Sequence, residues 1–372
     1  MKSKKKVLFL IPTLGGGGAE RVLVNLVNGM NLDKYEITVQ SIFKAGVNSD
    51  FVNPHITLKQ GKIKQFRGSS FLLSLLPSKL AYKYVVKDHY DIAVSYLEGP
   101  SSRIISGCPF DDSKKVGWIH CVHKNSEEVY HSFISKKDAE KCYYAFDAMA
   151  YVSQRVKNDF LQYFPSLKRN EVIHNTNDDS KILSMANEEV SDVIFSNTVN
   201  VVSVGRLIPV KGYERLIDAH ARLIKEGVMH HVYIIGAGGM EINLRQQIKA
   251  LDVESTLHLV GFQKNPYKYV NKADLFICSS YSEGFSTAVT EALILGKPVI
   301  STDVSGAKEM LGENNEYGIV VENTTDGIYE GLKEMLQSSE KLNYYTGQAE
   351  LRGLVFSKAN AIKEVEHLLD TL

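Results

Sequence analysis

Short apolar runs that break at glycine-rich turns and lead into amphipathic helices recur along this chain. That alternation constrains its fold more than any other feature. Lys6-Val7-Leu8-Phe9-Leu10-Ile11-Pro12 is followed by Gly15-Gly16-Gly17-Gly18. Val22, Leu23, Leu26 and Val27 then recur at helical spacing over 19–30. An apolar run with no polar alternation suits a strand buried on both faces, as in a parallel sheet. With Glu36-Ile37-Thr38-Val39 as the next strand, the segment reads as a βαβ unit.

The pattern continues through the chain. Strands are expected at 91–96, 115–120 and 148–152, with Ser153 as the N-cap of a helix over 154–163. It restarts at 201–204, followed by strands at 231–235, 257–260, 274–278, 298–301 and 318–321. Helices are expected between them at 213–225, 239–251, 285–295 and 325–336. A length of 372 residues fits two domains of about 150–200 residues each. The expected class is α/β, with two Rossmann-like doubly wound domains facing across a cleft where the carboxyl ends of the strands meet. The boundaries read as 1–176, a polar and acidic linker region at 177–198, a second domain at 199–354, and a C-terminal helix at 355–372 that can pack back on the first domain.

Formal net charge is zero, but it is unevenly spread. Residues 1–176 carry 25 Lys and Arg against 16 Asp and Glu, whereas 177–372 carry 18 against 27. A basic front half suits an anionic partner. Cys108, Cys121, Cys142 and Cys278 show no paired spacing, which fits reduced thiols in a cytoplasmic setting. No stretch approaches the roughly 20 apolar residues of a membrane span. No Asp-x-Asp occurs, and no His/Cys/Asp cluster has metal-ligand spacing, so no metal site is expected.

Five constellations can carry chemistry. Gly15, Gly16, Gly17 and Gly18 at a strand-to-helix turn allow close approach of backbone amides to an anion, without the Gly-Lys-Ser/Thr of a P-loop. Arg206 leaves a buried strand, and Lys211 stands five residues later at a helix start, a pair suited to a diphosphate. Gly236-Ala237-Gly238 marks another such turn, for which a dinucleotide site is a competing reading. Glu283 and Glu291 lie eight apart, with Gly284, Phe285 and Ser286 after the first. A loop carrying the first acid runs into the helix carrying the second, and about 100° per residue over eight residues puts the second roughly two turns below the first. His120 closes Val116-Gly117-Trp118-Ile119-His120 beside the only Trp, with His123 as a nearby decoy and His174, before Asn175, as another cleft candidate. A structural histidine or a sugar contact are both open at that position.

Gly205-Arg206, Lys211-Gly212, Glu283-Gly284-Phe285, Glu291 and Gly296-Lys297-Pro298 together resemble glycosyltransferase family 4, over nearly the whole chain and best over 201–321. The resemblance implies the two-Rossmann-domain fold called GT-B and a retaining, metal-independent hexosyl transfer from a nucleotide-sugar, most often a UDP-sugar, with no cofactor. It also implies roles. Arg206 and Lys211 bind the donor diphosphate, and Glu291 the ribose. Glu283 and His120 contact the transferred sugar, and Gly284, Phe285 and Ser286 offer backbone amides. Gly236 and Gly238 approach the nucleotide, and Gly15–Gly18 lie near phosphate or acceptor. The family often has Gly-Asp-Gly where this chain has Gly236-Ala237-Gly238, which leaves the acid's role without a residue.

The acceptor implied is a saccharide, lipid-linked in surface or exopolysaccharide (capsule) biosynthesis. Lys59, Lys62, Lys64 and Arg67, then Phe71-Leu72-Leu73-Ser74-Leu75-Leu76, then Lys79, Lys83 and Lys87, interleave basic and apolar residues. Such a stretch suits peripheral docking on an anionic membrane at its cytoplasmic face, or a core helix with a solvated rim. It lacks the stacking aromatics of a nucleic-acid module. Two other functions fit the same fold: a sugar-nucleotide epimerase, and a non-catalytic nucleotide-sugar-binding partner of another transferase.

Overall fold

The computed structural model describes residues 4–44, 46–62, 69, 73, 75–123 and 125–372. The chain divides into two units, one formed by Met1–Thr176 with Lys358–Leu372, the other by Asn177–Ser357.

Among the described residues the first unit holds a seven-stranded sheet. Its strands are β1 (Lys5–Ile11), β2 (Tyr35–Ser41), β3 (Thr57–Gln60), β4 (Ile92–Ser95), β5 (Lys114–Ile119), β6 (Ala148–Tyr151) and β7 (Asn170–Val172). Their order is β3-β2-β1-β4-β5-β6-β7, and every pairing is parallel. Val7 to Ile11 are fully buried, as a strand covered by helices on both faces must be. The helix Gly18–Gly29 returns the chain from β1 to β2 and buries Val22, Leu23, Val24, Leu26 and Val27. Ser153 caps the helix Gln154–Tyr163, its side chain accepting from the Val156 amide.

The C-terminal helix Lys358–Asp370 packs on Gly18–Gly29. Tyr35 donates its hydroxyl to Asp370 at 2.7 Å, and Lys5 Nζ reaches the Leu369 carbonyl at 3.0 Å. These polar ties and the buried Val365, Leu368 and Leu369 attach the chain's end to its first βαβ unit.

The second unit holds six strands: β8 (Val199–Val204), β9 (His230–Ile235), β10 (Leu257–Gly261), β11 (Leu275–Cys278), β12 (Val299–Thr302) and β13 (Ile319–Val321). The order β10-β9-β8-β11-β12-β13 is again all parallel. Its core joins Val201, Leu216, Ile217, Ile234, Ile277, Ile300, Ile328 and Leu332 from strands and flanking helices. The stretch 177–198, read from sequence as a linker region, contains the helix Asp179–Ala186 and lies within this unit. Only Ile182 and Ala186 of that helix are buried, too sparse a pattern to show a helical face. Both sheets have the doubly wound order expected of the α/β class. Each has one switch point where the chain reverses its direction of travel across the sheet, between β1 and β4 and between β8 and β11.

Candidate functional site

The switch point of the second unit brings together two loops that are far apart in sequence. One leaves β8 and carries Gly205, Arg206 and Lys211; the other leaves β11 and carries Ser279, Ser280 and Glu283. Lys211 Nζ donates to Glu283 Oε1 at 2.7 Å, and Ser280 Oγ donates to the same oxygen at 2.6 Å. Both charged side chains are largely shielded, 22% and 15% exposed. Burial pulls the Lys211 ammonium down, but the adjacent Glu283 carboxylate outweighs it and the net shift is upward. Lys211 is therefore a firmly held cation. Arg206 is exposed and close enough to act on Lys211 as a second positive charge.

A dense set of bonds fixes the two loops against each other. Ser279 Oγ donates to the Lys211 carbonyl at 2.9 Å, and the Tyr281 amide to the Val210 carbonyl at 2.8 Å. Thr302 Oγ1 donates to the Ser280 carbonyl at 2.7 Å. Arg215, buried on the helix Tyr213–Lys225, donates to the Ser279 carbonyl at 2.6 Å and to both oxygens of Asn323 at 3.0 and 2.9 Å. Its guanidinium lies 3.6 Å from the centroid of the Tyr281 ring. Arg215 was not singled out in the sequence, where a lone Arg in an amphipathic helix reads as surface. Burial of its cation is offset by carbonyls and a ring face.

Backbone geometry sets where Lys211 stands. The short 3₁₀ turn Pro209–Lys211 passes into the helix through Gly212, which has φ +61°. A Cβ at Gly212 would lie 2.3 Å from the Ser279 carbonyl oxygen. Gly236 and Gly238 have a related and unexpected use. A Cβ on Gly236 would lie 1.9 Å from the Gly205 carbonyl oxygen, and one on Gly238 would lie 2.4 Å from that of Leu207. The Leu207 amide bonds the Ala237 carbonyl at 3.0 Å, and the Met240 amide the Leu207 carbonyl at 3.0 Å. These glycines thus let one turn press against the loop that presents Arg206.

Glu283 and Glu291 do not share a helix. The helix is Thr287–Ile294, with Ser286 at its N-cap, so Glu283 stands in the loop before it and Glu291 on the helix, as expected from the sequence, but only part of the eight-residue interval is helical and the two-turn offset does not follow. Lys211 and Ser280 hold Glu283 there. Phe285 is buried, packing edge-on to Phe356 with ring centroids 5.9 Å apart. Ser286 is also buried, and Gly284 half-buried. Glu291 is half-buried and accepts from the Tyr267 hydroxyl at 3.2 Å. Tyr267 also escaped the sequence reading, since the helix that brings it here, Tyr267–Lys272, is short.

The first unit positions His120 and the four glycines. His120 follows β5, and its amide donates to Glu98 Oε2 at 3.1 Å. Its ring lies 4.8 Å from Tyr96 and stacks over Trp118 at 6.1 Å. Nε2 is buried with no hydrogen-bond partner among the described residues. Burial pushes the ring down to about 4, against the opposing pull of Glu98, so the imidazole is neutral at pH 7. A neutral ring can exchange a hydrogen bond with a hydroxyl but offers no positive charge. Gly15, Gly16 and Gly17 form the loop after β1, and Gly18 opens the helix Gly18–Gly29. Asn48, itself buried, holds this loop by donating to the Gly15 carbonyl, and its amide bonds that of Leu14 at 3.0 Å. His174 lies just after β7 in the same unit.

Glu98, Cys121 and His123 were not connected by the sequence reading, which found no metal-ligand spacing. Their potential ligand atoms lie within 4.8 Å of one another, on loops after the neighbouring strands β4 and β5. The Cys121-x-His123 pair was visible in sequence; Glu98, on another strand, was not.

Residues 186–352 match the family described as Glycosyl transferases group 1. The chain is 28% identical over 379 residues to a Campylobacter jejuni N-acetylgalactosamine-N,N'-diacetylbacillosaminyl-diphospho-undecaprenol 4-alpha-N-acetylgalactosaminyltransferase, covering 97% of this chain and 98% of that protein. It is 34% identical over 124 residues to the Erwinia amylovora amylovoran biosynthesis glycosyltransferase AmsK, covering 31% of this chain and 30% of that one. In three dimensions it superposes on Anabaena HepE, solved in complex with UDP, with a TM-score of 0.77 at 20% identity, covering 99% of this chain and 100% of that one. Residues 186–352 thus carry a match to the group 1 glycosyl transferases, and the chain's likeness to glycosyltransferase family 4, with two Rossmann-like units of the GT-B class, holds.

Proposed function

We propose that the chain transfers a sugar from a nucleoside-diphosphate donor, most simply a UDP-sugar, to a saccharide carried on a lipid diphosphate. The observation that carries this reading is the Lys211–Glu283–Ser280 cluster at the switch point of the second unit. A donor pyrophosphate placed there meets the Lys211 ammonium and the exposed Arg206 guanidinium, which neutralise the charge that builds on the departing phosphate. Glu283, relieved of part of its bond to Lys211 by the phosphate, can take a sugar hydroxyl. Glu291, oriented by Tyr267, takes the ribose hydroxyls. Backbone amides of Gly284, Phe285 and Ser286 lead into a helix N-terminus that favours negative charge. In the first unit, neutral His120 is assigned a sugar hydroxyl, and Gly15–Gly18 the acceptor or its phosphates.

The roles need no divalent ion, because two cations and backbone dipoles supply the positive charge. Retention is assigned through same-face attack: the acceptor hydroxyl bonds the anomeric carbon as the bond to phosphate breaks, and its proton passes to the leaving phosphate. Support for the lipid-linked acceptor comes from the Campylobacter relative, whose name specifies a diphospho-undecaprenol saccharide. The epimerase alternative and the binding-only alternative differ in product: one releases an altered sugar without an acceptor, the other turns nothing over.

The test is a screen of nucleotide-sugars with a short lipid diphosphate saccharide acceptor, in the presence of a strong chelator. Acceptor-dependent release of nucleoside diphosphate is expected. Release that ignores the acceptor would favour the epimerase, and loss on chelation restored by magnesium would overturn the metal-free assignment.

Docking on an anionic membrane belongs to the same proposal. Lys64, Arg67, Phe71, Leu72 and Ser74 of the basic-apolar stretch lie outside the described residues. Among the described ones, Leu75, Leu76, Leu80 and Tyr84 are exposed beside Lys79, Lys83 and Lys87. Buried Arg103 donates to the carbonyls of Leu73 and Leu76, pinning the start of that surface, and pairs with Asp138 at 3.2 Å. No helix of the described residues is long and apolar enough to cross a membrane. Flotation with anionic vesicles is expected to carry the protein upward, and failure to do so at moderate salt would remove the docking surface.

A further inference from the structure

We propose that Glu98, Cys121 and His123 of the first unit form a binding site for a zinc-like divalent transition metal, separate from the groups assigned to sugar transfer. Three donors of different chemistry converge there: a carboxylate, a thiol and an imidazole, all within 4.8 Å of one another. Zinc bonds of about 2.0–2.3 Å in tetrahedral geometry place ligand atoms roughly 3.3–3.6 Å apart, so side-chain adjustment of about an ångström closes the site. Sulfur with imidazole selects zinc and its neighbours over magnesium or calcium.

A second observation points to a ligand. His123 is only 8% exposed, and its Nδ1 is buried with no hydrogen-bond partner among the described residues. The ring is aimed by its surroundings instead. Asp159 Oδ2 stands 3.7 Å from Nδ1 and accepts from the His123 amide at 2.9 Å, and the Phe160 ring lies 5.9 Å away. Without metal, Cys121 Sγ donates to Glu98 Oε1 at 2.7 Å. On binding, the thiol proton leaves to solvent, the thiolate and Glu98 both face the ion, and a fourth position stays open to water. Glu98 Oε2 accepts the His120 amide proton, so an ion held by Glu98 also stiffens the backbone at His120.

The full-length chain, stripped of metal and titrated with Zn2+ against a chromophoric chelator, is expected to bind one ion. Cys121→Ser and His123→Gln should each weaken binding at least tenfold. With Co2+ as probe, a thiolate-to-cobalt absorption band is expected in the parent and absent from Cys121→Ser; Cys108, Cys142 and Cys278 are buried in other surroundings. Thermal melts establish that each variant is folded. Glu98→Gln, on a half-buried side chain, serves if the buried His123 variant does not fold. No retained Zn2+ in the parent, or equal affinity in Cys121→Ser, would overturn the site. These readouts need neither donor nor acceptor, so their outcome is independent of the transfer assignment.

Discussion

At the scale of single residues, Lys211 is the group with the most to lose. It is shielded and paired, and the proposed transfer would gather the leaving phosphate's charge beside it. Lys211→Ala is expected to lower kcat by roughly 100-fold or more, the range for removing one transition-state charge partner, while the thermal midpoint moves little because Ser280 still bonds Glu283. Steady-state nucleotide release with a parallel melt measures both; near-parental turnover would remove Lys211 from the chemistry. Glu291→Ala should instead raise the donor KM with kcat largely kept. Tyr267→Phe should do the same more weakly, by several-fold, since it deletes one hydrogen bond of about 1 kcal/mol. An unchanged KM in both variants would sink the ribose assignment. Arg206, Lys211 and Glu283 stand out in sequence as candidates because charged side chains at strand-to-helix turns have few structural uses, and Glu291, inside the helix Thr287–Ile294, by its spacing from Glu283. Arg215 and Tyr267 do not, because what makes them relevant is contact with Ser279, Asn323 and Glu291, partners 24 to 108 residues away.

At the scale of elements, the turn at Gly212 joins geometry to function. Its left-handed φ and the 2.3 Å approach to Ser279 mean that Gly212→Ala must shift one loop against the other. A loss of about 1–3 kcal/mol is expected, read by denaturant unfolding, together with a drop in kcat larger than the stability loss explains. An unchanged kcat in the folded variant would show that the Lys211–Glu283 spacing tolerates movement. The elements that sequence reading found include those with dense burial, such as β1, β8 and the helices Gly18–Gly29 and Tyr213–Lys225. Several of those it missed bury little. In β3, Thr57–Gln60, no residue is fully buried, and the helix Ser339–Gly353 buries only Ala349 and Gly353. Periodicity reports burial, so an element that meets the core at one or two points leaves no pattern.

At the scale of the whole molecule, stability should depend on pH through buried histidines of the second unit. His230 Nδ1 lies 2.9 Å from the Val228 carbonyl and must carry a proton; its Nε2 then accepts from His220 Nδ1 at 2.9 Å, and His220 Nε2 accepts from Thr256 at 2.9 Å. Both rings are neutral in this chain of bonds. Burial, with the other histidines adding to it, pushes His220 down to about 3, and burial also lowers His230. The unfolded chain takes up these protons near pH 6.5 while the folded one does not. The stability is therefore complete above about pH 6.5 and falls below it, by up to roughly 1.4 kcal/mol per pH unit for each ring. Melts between pH 8 and 5 should show the decline, and His220→Gln should flatten it; a parental slope in that variant would exclude the pair. Sequence alone determined the α/β class, the two parallel sheets and the charged groups at their strand ends, because short-range periodicity and turn chemistry encode those directly. Which residues touch was decided only by tertiary structure. Lys211 meets Glu283 across 72 positions, and Glu98 meets Cys121 across 23, since the order of strands in a sheet, not their order in the chain, determines which loops become neighbours.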